Sequence, residues 1–150
     1  MKAHHYWLLL WSLAVLPAGV QADERTPVEF RDAWIRTAPT SSPVLAGYVA
    51  VVNTSRREIT IVRMESAAFG GVELHEMRMV DGVMRMRPLA QLRIAPESTA
   101  ELAPGGTHLM LFRPVRELHA GDHAEIVFVL ADGDRRSVEF EVRPVAVGNR

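Results

Sequence analysis

Short apolar segments rich in Val, Ile, Leu and Phe run along this 150-residue chain from Val28 onward. Gly, Pro, Asp and Ser separate them at intervals of roughly 8 to 12 residues, a spacing typical of strands in a sandwich or barrel. Because no stretch keeps a helical period, the pattern predicts an all-β domain of about nine strands. We expect these strands at 28–36, 45–53, 58–66, 72–79, 83–89, 98–103, 107–113, 123–131 and 135–143.

Three turns between these segments are explicit in the sequence. Asp81-Gly82 stands between two strands and predicts a type I′ hairpin. Pro104-Gly105-Gly106 predicts a tight reversal, and Asp132-Gly133-Asp134 predicts a short hairpin loop. Antiparallel neighbours joined in this way favour two packed sheets, so the predicted fold is a Greek-key β-sandwich of cupredoxin-like architecture.

The first 22 residues have the pattern of a secretory signal peptide. Lys2 supplies a positive start, residues 6–16 are apolar, and Val20-Gln21-Ala22 offers small residues for cleavage. The apolar run, about 11 residues, is shorter than the roughly 20 that a membrane span needs. We therefore predict a cleaved signal at 1–22, one domain at 23–150, export, and no stable membrane insertion.

Charge and cysteine content exclude several classes of protein. The chain carries 17 Lys and Arg against 18 Asp and Glu, and such a balanced surface predicts no nucleic-acid partner. It contains no cysteine, which excludes disulfides, thiol-disulfide reductases and the cysteine-ligated site of blue-copper electron carriers. The missing cysteine also argues against a lipid-anchored form.

Two histidines and two methionines form a motif of candidate metal ligands. His75, Met86, His108 and Met110 are spaced as His-x10-Met-x21-His-x-Met. Thioether sulfur together with imidazole nitrogen suits Cu(I) and is a poor ligand set for zinc, calcium or magnesium. The motif therefore predicts a site for one Cu(I) per chain.

A hairpin turning at Asp81-Gly82 would bring two of these residues together. His75 would lie diagonal to Met86 at a backbone separation of about 7 Å, which two long side chains can close on a metal. Three further methionines would share that face: Met77, Met79 and Met84. The pattern alone leaves each of the three open as a ligand or as a packing residue.

The segment that begins at Thr107 would present the other two ligands. His108 and Met110 are two residues apart and project from one face of a strand, whereas Leu109 and Leu111 project from the other. We expect the leucines to enter the core. The copper site would then lie at the rim of the sandwich, closed enough to hold copper and open enough to release it.

Other candidate residues have simpler interpretations. His119 and His123 are expected at the surface, where they could bind Cu(II) weakly. Met64 is expected in the core. Trp34 and Tyr48 are expected to fill the core with a polar end reaching a partner.

Around its four candidate ligands the sequence resembles the periplasmic PCuAC-type copper chaperones, whose motif has this same spacing. The likeness runs through VELHEM (72–77), DGVMRMRP (81–88) and PGGTHLML (104–111), and continues in DAWIR (32–36), AGY (46–48) and GD (121–122). It implies that His75, Met86, His108 and Met110 hold a single Cu(I). It also implies a periplasmic carrier that serves cytochrome oxidase assembly and delivers copper to the dinuclear site of subunit II.

Alternatives to a carrier are weighed by coordination chemistry. Four soft or borderline ligands saturate Cu(I) and leave no open position for turnover, so we expect no enzyme. Copper storage or detoxification remains an alternative, as does a metal-free β-sandwich interaction module, because fold does not decide function. We expect a monomer whose main partner is the copper-receiving protein.

Overall fold

The computed structural model describes residues 27–39 and 42–144. The predicted signal peptide at 1–22 lies outside these residues, so its boundary with the domain stays a prediction. The described residues form strands and turns without any helix, which confirms the all-β prediction. Accordingly, this part of the chain contains no helix that is long and apolar enough to cross a membrane.

Ten strands are formed by the described residues. They are β1 (Val28–Arg36), β2 (Val44–Asn53), β3 (Ile59–Glu65), β4 (Phe69–Val80), β5 (Val83–Leu89), β6 (Leu92–Ile94), β7 (Ser98–Leu102), β8 (Thr107–Pro114), β9 (His123–Leu130) and β10 (Arg135–Arg143). Nine coincide with the predicted segments. The tenth, β6, has only 3 residues, which is too short for alternation to reveal it.

The strands join in one mixed sheet of order β5-β4-β8-β2-β1-β10-β9-β3-β6, and β7 also pairs with β2. Among the described strands, β1 and β10 pair in parallel and the remaining pairs are antiparallel. The register of β1 against β2 shifts between Arg31 and Trp34, where Asp32 has a φ of 50°. A bulge of this kind bends a strand and increases its twist, and it lies just before β1 takes up β10 as its second neighbour.

The folded-over sheet encloses one hydrophobic core. Inward side chains from strands along the whole order meet there, including Ile35, Val49, Leu111, Ile126 and Phe140 from its middle five strands. Each fully buried side chain of this size stabilises the fold by about 1.5–3 kcal/mol. The resulting architecture is the predicted β-sandwich. Met64 packs against the core, also as predicted.

Asn53 is the last residue of β2, where the predicted strand 45–53 also ends, and it is fully buried. Its side-chain amide donates to the carbonyl oxygens of Arg57 at 2.7 Å, Ile94 at 3.1 Å and Ala95 at 3.0 Å. Its side-chain oxygen accepts from the backbone N–H of Ser55 at 2.9 Å. Asn53 therefore ties the β2–β3 loop to the end of β6, a structural role.

Candidate metal centre

The hairpin of β4 and β5 has the predicted turn and register. Asp81 and Gly82 have φ values of 50° and 75°, as a type I′ turn requires at both central positions. Met77 lies directly opposite Met86, and His75 lies opposite Pro88. His75 and Met86 are therefore diagonal neighbours on one face of the hairpin, as the sequence predicts.

β8 pairs with the other edge of β4 and contributes the remaining two candidate ligands. His108 lies directly opposite His75, and Met110 lies opposite Glu73. The two imidazole rings have centroids 6.3 Å apart and are tilted by 37°. Since directly paired residues project to the same side of a sheet, His75 is the centre of the group. Met86 is diagonal to it on one side and Met110 on the other.

The four candidate ligands differ in their access to solvent. His108 is 6% exposed and the His75 side chain 12% exposed, whereas Met86 is 49% exposed. Met110 is half-buried. Met86 stands on β5, which is the first strand in the sheet order. The imidazoles thus form the inner part of the site and the Met86 thioether its open side.

Hydrogen bonds orient both imidazoles and select their tautomers. The Glu73 carboxylate accepts from Nε2 of His75 at 2.9 Å, and the Gly106 carbonyl accepts from Nδ1 of His108 at 3.0 Å. Because these oxygens accept the hydrogen bonds, the facing nitrogens carry the protons. The lone pairs are then left on Nδ1 of His75 and on Nε2 of His108, and partners of this kind are typical of metal-binding histidines.

Nδ1 of His75 is buried and has no hydrogen-bond partner among the described residues. An unsatisfied buried acceptor costs about 1–3 kcal/mol, so the arrangement fits a ligand that accepts its lone pair. The described residues contain no group of three or more His, Cys, Asp or Glu that could hold a metal ion, at this position or at any other. A metal bound here would use imidazole nitrogen together with methionine sulfur.

The strand faces behind the site belong to the core. Leu109 and Leu111 on β8 are fully buried, and Leu74 on β4 is 2% exposed. These three residues alternate with the candidate ligands, which confirms the predicted division of β8 into a core face and an outward face. The packed leucines hold the two paired strands, and hence the two histidines, in register.

An aromatic pair lies on the same outward face. Tyr48 is 5% exposed and counts among the buried hydrophobic residues, as predicted. Trp34 is only partly buried and lies outside the core cluster of the described residues, which corrects the prediction that it fills the core. Their rings are 4.6 Å apart, and the Arg36 guanidinium carbon lies 5.3 Å from the centre of the Tyr48 ring. Burial raises the pKa of Tyr48, although the Arg36 charge acts in the opposite direction. Alternation in β2 explains the placement, because Val49, next to Tyr48, faces the core.

The remaining histidines and methionines differ in exposure and in packing against the core. His119 and His123 are exposed, as predicted. Within the described residues the core cluster has Met64 packed against it but none of the four hairpin methionines: Met77, Met79, Met84 and Met86. The packing interpretation is therefore not supported for Met79 and Met84, which are exposed, whereas Met77 is partly buried outside the core cluster.

Comparison with known sequences adds a family. A family model described as "Putative lipoprotein LpqE-like" matches residues 28–142. An uncharacterized protein of Rickettsia prowazekii is 29% identical over 133 residues, which are 83% of this chain and 74% of that protein. A protein named as a putative lipoprotein in Leifsonia xyli subsp. xyli is 30% identical over 137 residues, covering 89% of this chain and 81% of that protein.

Solved structures with the same fold are PCuAC domains and a related protein. The copper-bound PCuAC domain from PmoF2 superposes with a TM-score of 0.67 at 21% identity, covering 79% of this chain and 93% of that one. The Cu(I) form of DR1885 from Deinococcus radiodurans gives a TM-score of 0.60 at 26% identity, covering 88% and 87%. The predicted cupredoxin-like fold and the PCuAC resemblance are thereby confirmed. The chain belongs to the LpqE-like family and has the fold of a PCuAC domain.

Proposed function

We propose that this protein is a periplasmic Cu(I) chaperone. It holds one Cu(I) with His75, Met86, His108 and Met110 and delivers it to another protein. The observation that carries this proposal is the pairing of His75 with His108, with the buried Nδ1 of His75 unpartnered among the described residues and a methionine diagonal to His75 on either side.

Coordination chemistry favours Cu(I) at this position. The imidazole centroids are 6.3 Å apart, and two metal–nitrogen bonds of about 2 Å each fit between the rings. Thioether sulfur adds affinity for the soft Cu(I) ion and very little for Zn(II). Two of the superposed structures, the PmoF2 domain and the DR1885 form, are themselves described as copper-bound and Cu(I)-bound, which supports copper as the cargo here.

Release is favoured by the same geometry. Met86 is half exposed on β5, so an incoming ligand can displace its sulfur while the buried His108 and the largely buried His75 still hold the ion. Thiolates bind Cu(I) more strongly than thioethers do, and transfer to a cysteine-containing acceptor therefore runs downhill. The dinuclear copper site of cytochrome oxidase subunit II is the acceptor that we propose. The four ligands fill the coordination sphere of Cu(I) and leave no open coordination position for a substrate. We therefore infer that the protein is not an enzyme.

Export accords with the names of relatives. The family description and the Leifsonia protein both carry the word lipoprotein, a class of exported proteins. We infer that residues 1–22 direct this chain to the periplasm, where a soft-ligand carrier would meet the exposed copper sites of oxidases.

The binding step is tested by anaerobic titration with Cu(I) in competition with a chelator of known affinity. We expect one tightly bound Cu(I) per chain, and X-ray absorption should show sulfur and nitrogen neighbours together. Met64→Leu is the control variant: it removes a thioether that packs against the core, and it should bind Cu(I) as the wild type does. A first shell of nitrogen and oxygen only would contradict the proposal.

The delivery step is tested by mixing the copper-loaded protein with a reduced, copper-free domain of oxidase subunit II. Copper should move to the acceptor and leave this protein empty. If copper remains here at equilibrium, storage or detoxification replaces delivery as the function. This outcome is independent of the titration, which tests binding alone.

A further inference from the structure

The hairpin continues past the candidate site and carries more methionine than the site uses. Met79 lies directly opposite Met84, one step beyond the Met77–Met86 pair. Met79 is 63% exposed and Met84 45% exposed. Both share their face with Met86, since successive pairs two residues apart project to the same side. Four thioethers therefore form a double row from the turn to His75.

Packing does not explain this row. In the described part of the chain, the four methionines are absent from the core cluster and from the residues packed against it. Three of the four, Met79, Met84 and Met86, are exposed, and an exposed apolar side chain contributes little to stability, because stabilisation comes from the area removed from water. The row must therefore be explained by the chemistry of sulfur or by contact with another molecule.

The opposite face of the hairpin has a different chemistry. Arg78 pairs with Arg85, and Glu76 pairs with Arg87. Glu76 accepts a hydrogen bond from Arg87 at 2.9 Å and forms an ion pair with Arg78 at 2.9 Å. The charged groups are thus drawn to one side, and the thioethers stand together on the other.

We propose that Met79 and Met84 form an outer Cu(I) subsite through which cargo enters and leaves the inner site by way of Met77 and Met86. This inference rests on the proposed function and extends it to residues outside the four-ligand motif. Successive methionine pairs lie about 7 Å apart along the strands. The flexible methionine side chain can shorten that gap, and Met86 belongs both to the row and to the inner site.

The transfer along the row is ligand exchange without redox chemistry. Copper stays as Cu(I); a bond to the sulfur of the next methionine forms as a bond to the previous sulfur breaks. Two neutral thioethers hold Cu(I) less tightly than two thioethers with two imidazoles, so during loading copper runs inward to His75 and His108. It runs outward only when an acceptor with stronger ligands removes it at the hairpin.

The subsite is tested first by NMR of the protein labelled at the methionine methyl carbons, with Cu(I) added under anaerobic conditions. The first equivalent should shift the resonances of Met86 and Met110. The second should shift those of Met79 and Met84, with Met64 unchanged as the internal control. A second equivalent that leaves Met79 and Met84 unshifted overturns the outer subsite.

The kinetic test uses the double variant Met79→Leu/Met84→Leu, which keeps apolar bulk and removes both sulfurs. Its rate of Cu(I) uptake from a weak Cu(I) complex should fall several-fold, while its affinity for the first equivalent stays that of the wild type. Val83→Leu is the matched control at the same hairpin, since it changes apolar bulk without touching sulfur. We expect wild-type uptake from this control.

The outcomes separate this inference from the proposed function. If the wild type takes one Cu(I) tightly and the double variant loads equally fast, the outer subsite is wrong and the chaperone proposal stands. If the wild type fails to bind the first equivalent, both proposals fall.

Discussion

The two faces of β8 differ in what they contact and in what their side chains do. Leu109 and Leu111 are fully buried in the core. His108 and Met110 alternate with them and lie opposite His75 and Glu73 on the outward face. One backbone thus carries both the packing that stabilises the fold and the groups that can bind a metal.

This difference shows how the site acquires its geometry. Side chains on a rigid, paired strand are positioned more precisely than side chains on a loop. The buried face holds the strand in register, and the outward face then inherits that register at no further cost in ordering. Changes on one face should therefore affect stability, and changes on the other should affect copper.

The largest effect is expected from Leu111→Ala on the core face. Deleting a buried leucine side chain leaves a cavity and should lower the free energy of unfolding by about 2–5 kcal/mol. Urea unfolding measures it. Molecules that remain folded should still take one Cu(I). A loss of copper stoichiometry at full folding would show that the two faces are not separable.

His108→Ala on the outward face should have the opposite effect, weakening copper binding while leaving the fold intact. We expect Cu(I) affinity to fall roughly 100-fold, or about 2.8 kcal/mol, in the chelator competition. The fold should survive, because the Gly106 carbonyl that accepts from His108 also accepts from the backbone N–H of Met77 at 3.3 Å. A destabilisation equal to that of Leu111→Ala, with unchanged affinity, would assign His108 a structural role only.

Met110→Leu sharpens the comparison by removing sulfur while nearly conserving volume. Such a change should alter stability by less than about 1.5 kcal/mol, and Cu(I) affinity should fall about tenfold. Met64→Leu makes the same chemical change in a residue packed against the core and should leave affinity unaltered. Equal affinities for the two variants would remove Met110 from the ligand set.

The smallest effect on stability is expected at Glu76 of β4. Glu76 follows the buried Leu74 on the core face of that strand, and its hydrogen bond from Arg87, aided by Arg78, lowers the pKa of its carboxyl group. Because the pKa of Glu76 is lower in the folded state, its ionised carboxylate stabilises the fold fully at pH values above the ordinary pKa of a glutamate. This stabilisation is lost as the pH falls through the lowered value.

Glu76→Gln should therefore be slightly less stable than the wild type at neutral pH, and this difference should vanish in acid. The measurement is the free energy of unfolding of both proteins as a function of pH. Copper stoichiometry should be the same in both at neutral pH, since Glu76 faces away from the site. A difference that persists in acid would mean that the ion pairs are not its cause.

Local signals predicted much of the fold. The type I′ turn at Asp81-Gly82 determines the register of a two-residue hairpin, so the diagonal placement of His75 and Met86 could be worked out in advance. The alternation of β8 likewise predicted which side Leu109 and Leu111 would take. The 3-residue β6 was not predicted, because so short a segment shows no alternation. The outward side of Trp34 and Tyr48 was not predicted either, because alternation alone does not say which face of a strand packs into the core.

Local sequence patterns predicted nine of the ten described strands, the tight turns, the candidate ligands and the family resemblance. They could not predict that His75 meets His108 directly, that Glu73 and Gly106 orient the two rings, or that the hairpin methionines lie outside the core. The physical reason is that hairpin register and strand alternation arise from neighbouring residues. The pairing of β4 with β8 joins distant segments, and its register depends on how both strands pack their buried faces into one core.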